Sequence, residues 1–225
     1  MGRGYALGSV GYRLSGEAIF PAAIEDCKAA ARWVRANATK YGLNPDRIGA
    51  WGSSAGGHLV ALMGTAGDDV TEFDTHEENR EQSSRVQAVC DWFGPTDFLR
   101  MSDFPGKIDH DAAGSPESRF VGGPIQENKD KVARANPVTY VTEDDPPFLI
   151  MHGERDQSVP YNQSELLYDA LKKADVEATL YCVRGGGHGF GGATEDSPQD
   201  LFDMAARFFD KHLKVPDTDV DIVEP

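Results

Sequence analysis

Short apolar runs alternate with helix-period stripes along most of this chain, and that alternation limits the folds open to it. Residues 5–12, 47–51, 86–93, 147–152 and 178–183 read as strands. The run 86–93 (VQAVCDWF) is almost continuously apolar, as a strand buried on both faces requires. Between them, Ala23, Ile24, Cys27, Ala31, Val34, Ala38 and Tyr41 form one stripe at helical spacing, with Pro21 suited to its first turn and Gly42 to its end. Residues 55–66, 162–174 and 197–213 read as further helices. Strands alternating with helices imply an α/β fold with three α/β/α layers and a mostly parallel sheet. In such sheets ligands sit beyond the carboxyl ends of the strands.

No linker or repeat divides the sequence. Residues 1–213 read as one domain and 214–225 as an acidic tail. Residues 95–136 are irregular and rich in Gly and Pro, which marks them as a lid-like insertion. With 37 acidic against 22 basic residues the formal charge is −15, which argues against nucleic acid and anionic membrane surfaces as partners. The sequence holds no apolar run of spanning length and no h-region after its first residues, so it reads as cytoplasmic. Cys27, Cys90 and Cys182 are odd in number and form no CxxC, which favours three buried thiols over a disulfide framework or zinc ribbon. Asp109-His110-Asp111 are adjacent and do not converge readily on one ion. Neither a metal nor a cofactor is expected.

Gly52-Ser53-Ser54-Ala55-Gly56 matches G-x-S-x-G. The pentapeptide alone is weak in a chain with 24 Gly. Its place between a strand and a helix is what a nucleophile elbow requires. The flanking glycines allow the strained turn that presents Ser54, and Ser54 would then head a helix, where the dipole favours a developing anion. The Ala55 N–H points to the same place. The competing reading is a Gly-rich N-cap with a structural serine.

A serine needs a base. In an elbow fold the order is Ser, Asp/Glu, His, and the sequence supplies it. Gly153-Glu154-Arg155-Asp156-Gln157 follows the strand 147–152, and Arg184-Gly185-Gly186-Gly187-His188-Gly189-Phe190 follows 178–183. His188 is the base. Asp156 competes with Glu154 for the acid, and a turn through Arg155 brings Asp156 back over the strand end. Among the other histidines, His58 reads as packing, His76 and His212 as solvated, and His152 as a brace for the acid loop.

Several stretches together resemble a known family. They are Tyr12-Arg13-Leu14-Ser15, Asn44-Pro45-Asp46-Arg47-Ile48, Gly52 to His58, Phe93-Gly94-Pro95-Thr96-Asp97, His152 to Asp156, and Gly187-His188-Gly189-Phe190. In this order they resemble the α/β-hydrolase fold, in the esterase/lipase branch that includes acetylxylan and feruloyl esterases. The resemblance implies Ser54, Asp156 and His188 as a triad, with Ala55 as one oxyanion donor. It also implies strands before residues 5–12 and an HGGG-type oxyanion loop, neither of which is visible here. Three accounts of the resulting gap stand open. Strand 5–12 slides over to pair with 47–51, with Gly11 or Gly16 as substitute donor. A second copy covers the bare edge, making a homodimer. Or the chain is a fragment.

The function expected is hydrolysis of a small carboxylic ester, short-chain or sugar-acyl, through an acyl-enzyme. Trp92, Phe93, Phe98, Phe104 and Phe120 either line an acyl pocket or pack a small core of the insertion. The alternative function is a degenerate, non-catalytic relative that binds a ligand.

Overall fold

A computed structural model describes residues 3–68, 70–104 and 106–214. Eleven regular elements organise the described residues: α1 (Ala22–Ala36), α2 (Ala38–Tyr41), β1 (Gly49–Ser53), α3 (Ala55–Thr65), β2 (Ala88–Trp92), α4 (Pro116–Val121), α5 (Lys129–Ala135), β3 (Phe148–Gly153), α6 (Asn162–Lys173), β4 (Ala178–Val183) and α7 (Pro198–Leu213). The four strands make a parallel sheet in the order β1-β2-β3-β4. Gly49 pairs with Ala88, Val89 with Phe148, and Phe148 with Ala178, so the carboxyl ends of all four strands finish on one side.

Side-chain alternation splits the core between the two faces of the sheet. Ala50, Val89, Phe148 and Ile150 meet α3 and α6 through Ala61, Leu167 and Leu171. Cys90, Leu149, Met151 and Val183 meet α7 through Leu201 and Ala205. A third cluster packs α1 on α3 through Ile24, Cys27, Leu59 and Leu62. β3 is buried at all six positions, as the apolar run Phe148 to Met151 leads one to expect of a central strand, and its one polar side chain, His152, is buried with both ring nitrogens hydrogen-bonded. Helix α7 begins with a capping box, in which Ser197 and Asp200 satisfy each other's backbone N–H, and with Pro198 in its first turn.

The first helix departs from its expected length. The stripe from Ala23 to Tyr41 is broken at Asn37, whose side-chain amide donates to the Trp33 carbonyl, and Gly42 closes α2 in the left-handed region. Cys27 and Cys90 are buried, whereas Cys182 is half-buried because β4 lies at the edge of the sheet. Residues 95–136 are partly ordered into α4, α5 and short 3-10 turns. The tail at 215–225 lies outside the described residues.

The largest departure is at residues 5–12, which form no strand. They neither slide beside β1 nor make ladder bonds, and β1 pairs only with β2 among the described residues. The reason lies in what holds the two ends. Arg3 bonds to Asp203 and Asp210 on α7, and the Tyr5 hydroxyl donates to Asp210. Arg13 grips Asp26 on α1 through its backbone N–H and its guanidinium. The two helices cover opposite faces, so the stretch crosses between them and leaves Leu7 88% exposed. No helix among the described residues is long and apolar enough to cross a membrane.

Candidate active site

β1 ends at Ser53 and α3 begins at Ala55, so Ser54 occupies the single residue between them. Its backbone lies at φ 55°, ψ −120°, a region costly for a residue with a Cβ. Two hydrogen bonds hold it there. The Ser54 N–H donates to the Trp92 carbonyl (2.9 Å), and the Ser54 carbonyl accepts from the His58 N–H (3.0 Å). The turn also requires a residue without a side chain at Gly52, where a Cβ would sit 2.1 Å from the Gly56 carbonyl oxygen. The second glycine of the motif differs from expectation. A Cβ on Gly56 meets open space, whereas one on Gly57 would lie 2.4 Å from Asp91 Oδ1 and 2.9 Å from the Gly94 backbone. The constraint follows from α3 crossing close over the end of β2, which the five-residue motif does not contain.

The acid and histidine loops meet above β3 and β4. Arg155 N–H donates to the Gly186 carbonyl (2.8 Å) and Glu154 N–H to the Val183 carbonyl (3.0 Å). Gly153 makes this approach sterically possible, since a Cβ there would stand 2.5 Å from two carbonyl oxygens of the histidine loop. Within that junction His188 Nδ1–H donates to Asp156 Oδ2 (2.7 Å), and the Ser54 hydroxyl donates to His188 Nε2 (3.0 Å). The structure thus brings Ser54, His188 and Asp156 into one unbroken relay. Glu154 lies outside it. Its carboxylate binds Arg184 (2.8 Å) and the Gly185 N–H (2.9 Å), and so anchors the histidine loop from the surface.

The Asp156 side chain is fully buried, with Oδ1 accepting the N–H groups of Ser158 (2.8 Å) and Val159 (3.0 Å). Burial pushes its pKa up, but the bonds from His152, His188 and these two amides outweigh it and hold the carboxyl well below the usual range. His152 braces the loop as expected. Its Nε2–H donates to the Val159 carbonyl (2.9 Å) and lies 3.4 Å from Asp156 Oδ2, while Nδ1 accepts the Ser164 hydroxyl (2.6 Å).

The remaining expected residues fall in different surroundings. Ala55 N–H opens α3 and has no intrahelical partner, so it is free to face the Ser54 side of the turn. Gly11 and Gly16 lie in the exposed leading stretch with open space beside each Cα, and no backbone hydrogen bond joins either to the elbow among the described residues. Phe93, at φ 46°, sets its ring edge-on to the His188 imidazole, 4.7 Å between centroids. Trp92 instead joins an aromatic layer with Trp51, Phe190 and Phe202 on the α7 face. Phe98 and Phe120 pack on the His58 ring, and Phe104 is 53% exposed.

His58 is a packing residue. Its Nδ1–H donates to the Pro95 carbonyl (2.9 Å), and burial pushes its pKa down to about 4, so it stays neutral while it fastens residues 95–98 to α3. His110 lies buried 3.0 Å from Glu117 rather than between its neighbouring aspartates. Two contributors were not visible in sequence. Gln163 accepts the N–H groups of Thr96 and Asp97 (2.8 Å each) and pins the start of the 95–136 segment to α6. Asp91, buried under the elbow, accepts the Gly94 N–H (2.9 Å), and burial raises its pKa to about 6. A buried glutamine and a strand aspartate leave no periodic or motif signature.

Comparison with known proteins bears on the fold and the family. A family model described as BD-FAE matches residues 1–171. The probable carboxylic ester hydrolase LipM of Mycobacterium tuberculosis is 33% identical over 178 residues, which cover 79% of this chain and 40% of that protein. The chain therefore spans about two fifths of the length of that curated relative. Among solved structures, a truncated form of a carbohydrate esterase from gut microbiota aligns with a TM-score of 0.80 and 38% identity, over 92% of this chain and 74% of that one. The acetyl ester-xyloside bifunctional hydrolase from Caldicellulosiruptor lactoaceticus aligns with a TM-score of 0.73 and 27% identity, over 89% of this chain and 69% of that one. The chain has the α/β-hydrolase fold and belongs to the BD-FAE family.

Proposed function

We propose that this chain is a serine carboxylesterase acting on short-chain or sugar-acyl esters. The observation that carries the reading is the relay from Ser54 Oγ through His188 to buried Asp156, headed by a serine in a strained elbow. Ser54 attacks the ester carbonyl while His188 Nε2 takes its proton, then passes it to the leaving alcohol. Water releases the acyl group by the reverse path. Asp156 keeps Nδ1 protonated, so that Nε2 is the basic nitrogen, and stabilises the imidazolium. Phe93 limits the tilt of the imidazole from one side. Ala55 N–H serves as one oxyanion donor. The sugar-acyl substrate class is supported by two structural neighbours, one named a carbohydrate esterase and the other an acetyl ester-xyloside bifunctional hydrolase.

A single observation favours the non-catalytic alternative. Ala55 N–H is the one oxyanion donor identified among the described residues, and loss of a donor costs about 10²–10³ in rate. The homodimer belongs to the same proposal, since the outer edge of β1 has no ladder partner among the described residues. Sedimentation as an active monomer of 24.5 kDa would remove it. For the esterase, Ser54→Ala is expected to abolish turnover of p-nitrophenyl acetate with the circular dichroism spectrum unchanged. Parent-like turnover in that variant overturns the assignment.

A further inference from the structure

The acid of the relay has a second imidazole beside it. His152, next to last in β3, and Ser164, in the first turn of α6, are both completely buried. Their bonds fix which ring nitrogen carries the proton. Nε2 lies 2.9 Å from the Val159 carbonyl, which can only accept, so Nε2 must be the N–H. Nδ1 lies 2.6 Å from Ser164 Oγ. The Ser164 hydroxyl hydrogen has no other acceptor among the described residues, so it points at Nδ1 and leaves that nitrogen without a proton. The Phe93 and Tyr161 rings pack edge-on against the imidazole, at 6.4 and 5.4 Å between centroids, and restrict its rotation.

The His152 N–H is shared. Besides the Val159 carbonyl it lies 3.4 Å from Asp156 Oδ2, the oxygen that accepts from His188 Nδ1–H at 2.7 Å. Oδ1 is taken by two backbone amides. Each carboxylate oxygen therefore faces two N–H groups, and Oδ2 divides its negative charge between two imidazoles. A carboxylate whose charge fell on His188 alone would stabilise the imidazolium more and keep the base protonated to higher pH. The other ionisable groups around the two rings are Asp91 on β2, which acts on His152, Tyr161 before α6, Cys182, the register partner of His152 on β4, and the Ser54 hydroxyl against His188. Among the described residues no other side chain is hydrogen-bonded or ion-paired to Oδ2.

We propose that His152, with its proton placed by Ser164, is a positioning residue that shares the Asp156 carboxylate with His188 and so sets the pH at which His188 is free to act as the base. Its role rests on the esterase reading, but its geometry does not.

The test has one arm that needs no turnover. Imidazole nitrogen shifts in the parent near neutral pH are expected to show His152 protonated on Nε2 and unprotonated on Nδ1. The acid limb of kcat/KM for p-nitrophenyl acetate, and the His188 ring titration followed by NMR, are then recorded for His152→Phe and His152→Gln. Phenylalanine suits a site already lined by two aromatic rings but offers no N–H, whereas glutamine returns an N–H where Nε2 stood. His152→Phe is expected to move both the acid limb and the ring titration up by about 0.5 in pH with KM unchanged, and His152→Gln to stay within about 0.2 of the parent. The displacement should persist in an Asp91→Asn background, which excludes Asp91 as its source. A residue that only braces the loop would lower Tm and leave the acid limb in place. An unmoved limb in His152→Phe, an equal displacement in His152→Gln, its loss in the Asp91→Asn background, or a His152 proton on Nδ1 in the parent would each overturn the proposal, the last even where His152→Phe does not fold. Failure of the esterase reading shows separately, as absent turnover by the parent while the His188 ring titration still moves in His152→Phe.

Discussion

Asp156→Asn is the substitution whose effect the structure specifies most fully. In the parent, Oδ1 accepts two backbone N–H groups, from Ser158 and Val159, and Oδ2 accepts from His188. An asparagine must keep its carbonyl oxygen on the two amides, because an NH₂ there would oppose two donors. The NH₂ then occupies the Oδ2 position, 2.7 Å from His188 Nδ1, and donates to it. Nδ1 becomes an acceptor, the proton moves to Nε2, and Nε2–H faces the Ser54 hydroxyl it is meant to deprotonate. The geometry survives with the tautomer reversed, for which the expected loss in kcat is roughly 10⁴-fold at neutral pH. Glu154→Gln serves as the control, since its surface bonds to Arg184 and Gly185 predict a change of no more than about threefold. Both are measured as steady-state hydrolysis of p-nitrophenyl acetate. A loss below about tenfold in Asp156→Asn, or a larger loss in Glu154→Gln, refutes the reasoning. The same substitution has a pH signature in stability. The Asp156 carboxyl is depressed in the folded state, so its stabilisation is present above the unfolded value near 3.9 and is lost as pH falls toward the folded one. The Tm gap between parent and variant should be widest near neutrality and close below about pH 4.

Three further outcomes follow from the packing around the elbow. Gly57→Ala forces a Cβ to 2.4 Å from Asp91 Oδ1 and should cost about 1–3 kcal/mol in urea unfolding, whereas a parent-like midpoint contradicts the crossing geometry. Gly56→Ala meets open space within the first turn of α3 and should raise stability by about 0.5–1 kcal/mol, despite altering the motif itself. Asp91 keeps its proton to about pH 6 in the folded chain but releases it near 3.9 when unfolded, so the parent loses stability as pH rises through that window. Asp91→Asn lacks that loss. Its Tm relative to the parent should climb between pH 4 and 7, and a flat difference would mean that Asp91 is not titrating there.

The sheet, its helices and the three relay residues were legible because each leaves a local mark. Short apolar runs and period-3.6 stripes gave β3, β4, α6 and α7 to within a residue or two. The elbow motif and the two glycine-bearing loops at strand ends pointed to Ser54, Asp156 and His188. Residues 5–12 misled because their apolar and small residues imitate a strand, while the ties at Arg3 and Arg13 that keep them off β1 are long-range. Gly57 and Gly153 were missed for a related reason. Each is required by the approach of a segment distant in sequence, Gly94 in one case and the 186–187 carbonyls in the other.

The central claim is that Ser54 is an activated nucleophile. A fluorophosphonate reacts only with such a serine, and intact-mass and peptide spectrometry reads the adduct directly. One adduct on the peptide containing Ser54 is expected in the parent, with none in Ser54→Ala and labelling strongly slowed in His188→Ala. An unmodified parent, or an adduct that maps to Ser53 or persists in Ser54→Ala, would contradict it.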